Sequence, residues 1–335
     1  MSPTIKDVAR ELGLDASTVS LALRNRPRIA AATRLRVLEA AQRLGYVPNR
    51  AAQALRSGRS HTLSLVLWGS AELELPYTFS EPALSVANAA FHAGYAVLLW
   101  QATAERLHEQ SIARFPELRQ TDGALLVGET QDRKGLMQLV REGYPLIHLG
   151  ERYVDDGVLP FVSGDFAQGS ALAAEHFLTL GHRRMAVLRA THENIPEIPA
   201  RRVAGFCQAA GEHLVDVVTV DEQTPLAPII QTLHHQGVTA VFSTAPSVAF
   251  RFSFACRDVG MSIPHDISLI AFEDSPEMAL ASPPITCIRQ PRDLIGERAV
   301  QLLVSAIEEG HVVEVQELLP CTLIERNSVR RLNIG

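Results

Sequence analysis

Thr4-Ile5-Lys6-Asp7-Val8-Ala9-Arg10-Glu11-Leu12-Gly13, followed by Asp15-Ala16-Ser17-Thr18-Val19-Ser20-Leu21-Ala22-Leu23, reads as two short helices around a glycine turn. Thr4 is a good N-cap residue, and Ile5, Val8, Ala9 and Leu12 recur at helical spacing as one apolar stripe. Gly13 stands where a helix stops, because glycine tolerates a positive φ. Asp15 should cap the second helix, with Val19, Ala22 and Leu23 inward and Ala16, Ser17, Ser20 and Leu21 on the outer face. A third helix is expected from about Ala31 to Leu44, with Leu35, Leu38, Ala41 and Leu44 closing a small core. Its N-cap position holds Ala30, which offers no side-chain acceptor, so this helix should start weakly.

Charge assigns a partner to this head. Residues 1–60 carry 11 Lys and Arg against 4 Asp and Glu, whereas the whole chain has a net charge of -6. A basic head on an acidic body fits nucleic-acid contact by the head alone, since phosphates attract the first and repel the second. The N-terminal end of a second helix in such a pair is the part that enters the major groove. Ser17 and Thr18 can donate to phosphates or base edges, while Ala16 and Leu21 can make only apolar contact, for instance with a thymine methyl.

Composition narrows the remaining classes. A chain of 335 residues with 47% hydrophobic and 20% charged residues is an ordinary globular protein of two or three domains. No apolar run reaches the length of a membrane span, and the N-terminus lacks the pattern of a secretory leader, so a cytoplasmic protein is expected. Cys207, Cys256, Cys287 and Cys321 are too scattered for a zinc site and read as reduced, buried thiols; no metal or cofactor is expected. There is no G-x-G-x-x-G, P-loop or G-x-S-x-G, and His192-Glu193 lacks the second histidine of a zinc protease, so nothing points to an enzyme.

Beyond His61 the pattern alternates. Strand-like runs at Leu63–Trp68, Ala96–Trp100, Gly123–Val127, Pro145–Leu149, Arg184–Leu188, Ala240–Phe242 and Ile267–Phe272 are separated by helical segments, among them Ala104–Leu118, Arg201–His213 and Asp293–Glu308. That alternation predicts parallel sheets covered on both faces, and the length suits two such halves.

The head, with T-I-K-D-V-A-R-E-L-G, S-T-V-S-x-A-L and the later Leu44-Gly45-Tyr46-Val47-Pro48-Asn49-Arg50-Ala51-Ala52-Gln53-Ala54-Leu55, closely resembles the LacI/GalR family of bacterial transcriptional regulators. The resemblance runs to the C-terminus. It implies a helix–turn–helix domain over 1–48, a hinge helix and linker over 49–61, and an effector-binding and dimerisation body over 62–335. The body would be a periplasmic-binding-protein-like pair of α/β/α halves, 62–160 with 291–319 and 163–289 with 321–335. The chain would then be a homodimer on palindromic operator DNA, commonly a repressor, controlled by a small effector that is a carbohydrate by family habit. DNA contacts would come from Thr4, Ala16, Ser17, Thr18, Ser20, Leu21, Arg24, Asn49, Arg50, Ala52, Leu55 and Arg56. Leu55 would wedge between central base pairs in the minor groove, trading unstacking for a bent duplex, and small Ala52 would let two hinge helices approach. Most members carry Arg where Leu21 stands, so one guanine or phosphate contact is lost. No leucine heptads follow Ser328, so a coiled-coil tetramer is not expected.

For the effector, the resemblance points to Arg202, whose planar fork of donors suits hydroxyl or carboxylate oxygens. Glu273 stands where the family usually has Asp, one methylene longer. Trp68 and Trp100 close two strand-like runs and could stack on a ring, and Glu151 closes another. Arg201 should face solvent. Sugar-responsive members usually carry Asn-Asp where this chain has Ala245-Pro246, which leaves an orphan regulator with an altered pocket as the alternative. A solute-binding protein would share the body but not the head.

Overall fold

The structure, a computed structural model, describes residues 3–23, 29–46, 58–68, 77–128, 132–152, 159–191 and 197–332. It divides into two units, Met1–His61 and Thr62–Gly335.

The first unit holds α1 (Ile5–Leu12), α2 (Ala16–Leu23) and α3 (Ala31–Leu44). The Asp7 carboxylate accepts from the Thr4 N–H at 2.8 Å and from its hydroxyl at 2.7 Å, which fixes the start of α1. Those bonds hold the Asp7 pKa below its ordinary value. Gly13 (φ +65°) and Gly45 (φ +67°) end α1 and α3 in the left-handed conformation that glycine adopts without strain. Ala30 precedes α3 with no side-chain cap. The core consists of Val8, Ala9, Val19, Ala22, Val37, Ala40 and Ala41. Leu35 and Leu38, expected inside, are exposed. The inward stripe of α3 runs through its smaller apolar residues Val37, Ala40 and Ala41, because three eight-to-fourteen-residue helices pack too closely to seat Leu35 and Leu38 as well.

The second unit contains two six-stranded sheets. Sheet one is built from β1 (Thr62–Trp68), β2 (Ala96–Ala102), β3 (Gly123–Val127), β4 (Leu146–Leu149), β5 (Phe161–Gly164) and β11 (Gln316–Leu319), in the order β11-β5-β4-β3-β1-β2, all parallel. Sheet two is built from β6 (Met185–Ala190), β7 (Leu214–Val220), β8 (Ala240–Ser243), β9 (Ser268–Phe272), β10 (Thr286–Arg289) and β12 (Thr322–Ile324). Its order is β12-β10-β9-β8-β6-β7, and only β12 runs antiparallel.

Both faces of each sheet are buried. Leu63, Leu65 and Leu67 of β1 face α4 (Tyr77–His92) and α13 (Arg292–Glu309), while Val66 and Trp68 face the layer of α5 (Ala104–Glu109), α6 (Pro116–Arg119) and α7 (Arg133–Arg141). In sheet two, Ala186, Leu188 and Ala190 face α10 (Leu226–His235) and α11 (Pro246–Asp258). Met185 and Val187 face α8 (Phe166–Thr179) and α9 (Glu197–Ala210). A short α12 (Pro276–Leu280) follows β9. Strand period two sends alternate side chains to opposite helical layers, which is why these runs read as continuous apolar stretches.

Three expectations are corrected. The helix read over Ala104–Leu118 is broken into α5, a 3₁₀ turn at Ile112–Arg114 and α6. Ser111, whose hydroxyl bonds Asp132 at 2.7 Å, starts the turn, and Pro116 can only open a helix. Strands β5, β7, β10, β11 and β12 were not foreseen. Finally, Phe161–Gly164 pairs with β4 and β11, so the chain leaves sheet one after Gly164, not between residues 160 and 163. It returns between Arg289 and Arg292 and leaves again between Leu319 and Thr322.

Candidate nucleic-acid interface and ligand cleft

In the head, the three residues Gly13, Leu14 and Asp15 separate α1 from α2. The Asp15 carbonyl accepts from the Val19 N–H at 3.1 Å and so begins α2. With Val19 and Ala22 buried, α2 exposes Ser17 and Leu21 and half-exposes Thr18. Ser20, expected outside, is buried, and Ala16 packs partly against the core. The helical period explains both, because Ser20 lies one turn from Ala16 and next to the buried Val19. Arg43 reaches Glu11 with Nε at 3.0 Å and ties α3 to α1. Arg24, Asn49, Arg50, Ala52, Leu55 and Arg56 lie outside the described residues.

In the body, the carboxyl ends of the strands gather the charged side chains, which is where parallel sheets bind ligands. Arg202, buried on α9, lies over the rings of Phe272 at 4.0 Å and Phe166 at 4.9 Å. Its Nη1 donates to the Thr244 carbonyl at 2.7 Å and its Nη2 to Glu273 at 2.9 Å, while its buried Nε has no hydrogen-bond acceptor among the described residues. Burial draws the Arg202 pKa below the ordinary arginine value, and Glu273 opposes that. Thr244 is held in turn, its hydroxyl accepting from the Ala190 N–H at 2.9 Å.

Glu273 follows β9 with φ +82°, in the left-handed region. Its N–H donates to the Ile288 carbonyl at 2.9 Å. Besides Arg202, its carboxylate accepts from Gln290 and Arg292. Arg292 opens α13 and also lies 3.6 Å from Glu81 of α4. Next to it, Asp274 pairs with Arg326 at 2.7 Å and with Arg289.

Beyond β4, Glu151 is buried and pairs with Arg201 of α9 at 2.8 Å. Arg201, expected to face solvent, is 41% exposed and at the same time paired with Glu151. Neighbouring Arg152 donates to the carbonyls of Glu151 at 2.9 Å and Gly128 at 3.0 Å. His148 lies between the carbonyls of Gly150 (2.8 Å) and Gly128 (2.9 Å), and burial, reinforced by Arg152, pulls its pKa down to about 3.

The structure thus pairs Arg202 with Glu273 and adds Gln290 and Arg292 to that cluster, which sequence reasoning missed, and it pairs Glu151 separately with Arg201. It separates the tryptophans from them. Trp100 donates from its indole to Ser64 at 3.1 Å, packs on Phe115 with centroids 5.6 Å apart and lies under Arg106. Trp68 is buried in the same apolar layer. Both serve packing in this structure, because their strand positions face the α5–α7 layer. Gly181-His182-Arg183-Arg184 is a structural loop, with buried His182 set between Thr239 at 2.9 Å and the Arg330 carbonyl at 3.0 Å. Among the described residues no group of three His, Cys, Asp or Glu could hold a metal ion, and no helix is long and apolar enough to cross a membrane.

A small basic three-helix unit followed in the chain by a two-sheet, ligand-binding-type body defines the class of DNA-binding regulators with a sensory domain. Residues 4–49 match the family described as bacterial regulatory proteins, lacI family, and residues 174–329 match the periplasmic binding protein-like domain. The HTH-type transcriptional repressor CytR of Escherichia coli (strain K12) is 28% identical over 338 residues, covering 98% of this chain and 97% of that protein. The HTH-type transcriptional regulator CelR of Thermobifida fusca is 27% identical over 340 residues, covering 97% and 98%. Among solved structures, the lac repressor dimer bound to operator and an anti-inducer superposes with a TM-score of 0.70 at 21% identity, covering 98% of this chain and 100% of the other. The CelR–cellobiose complex superposes with a TM-score of 0.67 at 24% identity, covering 97% and 99%. The chain belongs to the lacI family and is a DNA-binding transcriptional regulator.

Proposed function

We propose that the chain is a cytoplasmic homodimeric repressor that binds palindromic operator DNA through α2 and the segment 49–56, under control of a small polar effector in the body's cleft. The observation that carries this reading is the outer face of α2, where Ser17 and Leu21 stand exposed on a head with 11 basic and 4 acidic residues. Ser17 and Thr18 donate to phosphate or base edges, and Leu21 meets a thymine methyl. Thr4, at the start of α1, contacts the backbone. Ala16 and Ser20 act through packing that sets the pose of α2. Asn49, Arg50, Ala52, Leu55, Arg56 and Arg24 complete the contact set.

Arg202 and Glu273 form a donor–acceptor pair of the kind that reads hydroxyl groups, and a carbohydrate is the effector class favoured by the CelR–cellobiose relative. The absence of polar side chains at Ala245-Pro246 narrows the choice to ligands read by arginine and carboxylate. The effector alters DNA affinity by shifting the two sheets relative to each other, and linkage requires DNA to alter effector affinity by the same factor.

The test is selection of bound sequences from a randomised palindromic duplex pool at physiological salt. The expected result is a two-fold symmetric motif with a deformable centre, with affinity that falls as salt rises. Leu55→Ala should weaken binding and flatten the preference at the central step. Recovery of no motif, with or without added metabolites, would overturn the reading.

A further inference from the structure

Helices α4 and α13 lie together on one face of sheet one, where Val86 and Ala90 share a core with Ile295, Ala299 and Leu303. They touch at the start of α13. Ser85 donates to the Asp293 carbonyl there, and a Cβ added at Gly296 would lie 2.6 Å from the Ser85 hydroxyl oxygen. On their solvent side a groove of about 760 Å³ follows both helices, from Glu81 to Ala93 along one wall and from Asp293 to Glu309 along the other. A helix rises ~1.5 Å per residue, so the α4 wall is roughly 17 Å long, the length of about three helical turns.

The lining combines apolar and acidic side chains. Leu84, Ala89, Val300 and Val304 supply apolar surface. Glu81, Asp293, Glu297, Glu308 and Glu309 supply carboxylates, and His92 is the one basic residue among the described lining residues. Within the groove, Glu297 and Glu309 accept from neutral donors, Gln301 at 3.1 Å and Ser305 at 2.9 Å, which leave the negative charge in place. Two basic residues stand just outside the lining: Arg292, 3.6 Å from Glu81, and exposed His311, 3.5 Å from Glu309. Arg292 is already held by Glu273, and His311 is a cation only when protonated, so an acidic excess remains.

We propose that this groove docks a basic amphipathic helix of a different protein, with apolar residues at i, i+3, i+4 and i+7 against Val300 and Val304 and lysine or arginine along both flanks. Charge decides the kind of partner, because an apolar stripe flanked by cations complements this lining and a neutral or acidic surface does not. Shape decides for a helix. A third helix packs its ridges between two helical walls with its backbone bonds satisfied internally, whereas a strand laid there would leave its amides facing side chains. A second copy of the chain seated by the same groove would set these carboxylates against their own equivalents. Phe91 and Leu294, exposed on the same layer, lie outside the lining. None of the effector candidates lines the groove either, so a docked partner is an input separate from the effector.

The experiment uses the full chain and a fluorescently labelled four-turn peptide of alanine, lysine and leucine, with leucines at i, i+3, i+4 and i+7 and lysines on both flanks. A scrambled peptide of the same composition is the control. Fluorescence anisotropy should show saturable binding that weakens as salt rises, and the scrambled peptide should bind about tenfold more weakly because its leucines no longer share a face. Glu297→Lys combined with Glu309→Lys, both at exposed positions, should weaken the helical peptide about tenfold. Glu142→Lys, an exposed reversal at the end of α7 on the opposite helical layer, should leave binding unchanged. Bound peptide should slow amide exchange over both 81–92 and 293–309. Absence of saturable binding, equal binding of the scrambled peptide, equal loss in Glu142→Lys, or protection confined to one helix would each overturn the proposal. Protection of both helices by spermine but not by the peptide would replace the partner helix with a small cation. A lower sedimentation coefficient in the doubly reversed variant without peptide would assign the groove to a second copy instead.

Discussion

Arg202 is fixed by what surrounds it on every side: two phenylalanine faces, the Thr244 carbonyl and the Glu273 carboxylate. Removing one member of a buried ion pair strands the other, at a cost of 3–5 kcal/mol. Glu273 would keep Arg292 and Gln290, so Arg202→Ala should cost about 3 kcal/mol, at the lower end of that range, as read from urea unfolding. Arg202→Lys should recover little, because an ammonium cannot reproduce the fork lying flat between rings. His182 makes the clearest pH statement. It donates from one ring nitrogen to a carbonyl and faces a hydroxyl with the other, so it is satisfied when neutral, and burial pulls its pKa from 6.5 to about 4. A depressed histidine pKa means that the unfolded chain takes up the proton first as pH falls. Its contribution is complete above pH 6.5 and is lost on descent toward about 4. His182→Asn should make the pH dependence of unfolding shallower in that window, by up to about 1.4 kcal/mol per pH unit. An unchanged slope would show that His182 is not neutral in the folded state.

Two elements have local chemistry that can be improved or broken. Helix α3 starts at Ala30 in extended backbone (φ -57°, ψ 141°) with no side-chain acceptor for its first amides. Ala30→Ser should stabilise the head by about 1 kcal/mol and slow exchange of the Thr33 amide about fivefold. The α8–α9 contact is set by Gly205, where an added Cβ would lie 2.2 Å from the Ala167 carbonyl oxygen and 2.6 Å from its Cα. Those are backbone atoms and cannot swing aside. Gly205→Ala should therefore destabilise the body by about 3 kcal/mol in thermal or urea unfolding, and a neutral result would mean that the two helices are free to part.

At the scale of the molecule, α4 and α13 border an acidic-rimmed groove of about 760 Å³. Leu84 and Phe91 on α4 and Leu294 on α13 are exposed, as are Phe254 and Leu280 on the second half. Leu84, Phe91 and Leu294 share the helical layer of α4 and α13, and large exposed apolar residues on one layer suit a subunit interface. In the proposed homodimer, Leu84→Glu should lower the sedimentation coefficient toward that of a monomer, and a wild type that sediments as a monomer would refute the proposed dimer outright.

The sequence by itself determined the head, its glycine turns, the uncapped start of α3, and the alternation that makes two covered parallel sheets. These depend on periodicity and turn chemistry within a few residues, which survive in a one-dimensional reading. It missed the leucines of α3, because a small core selects by volume, and it missed five strands: β5, β10, β11 and β12 have only three or four residues, and the edge strand β7, Leu214–Val220, is half-buried and interrupted by Asp216 and Thr219. Of the residues named from the sequence for an effector, Arg202, Glu273 and Glu151 are buried and charge-paired at strand ends, whereas Trp68 and Trp100 pack in the apolar layer of sheet one. Only the tertiary structure decided what those side chains face. Arg202 and Glu273 are 71 residues apart in the chain, and Glu151 and Arg201 belong to different sheets. Whether a charged residue meets solvent or an opposite charge is settled by which strand ends the fold places side by side, and no local pattern records that.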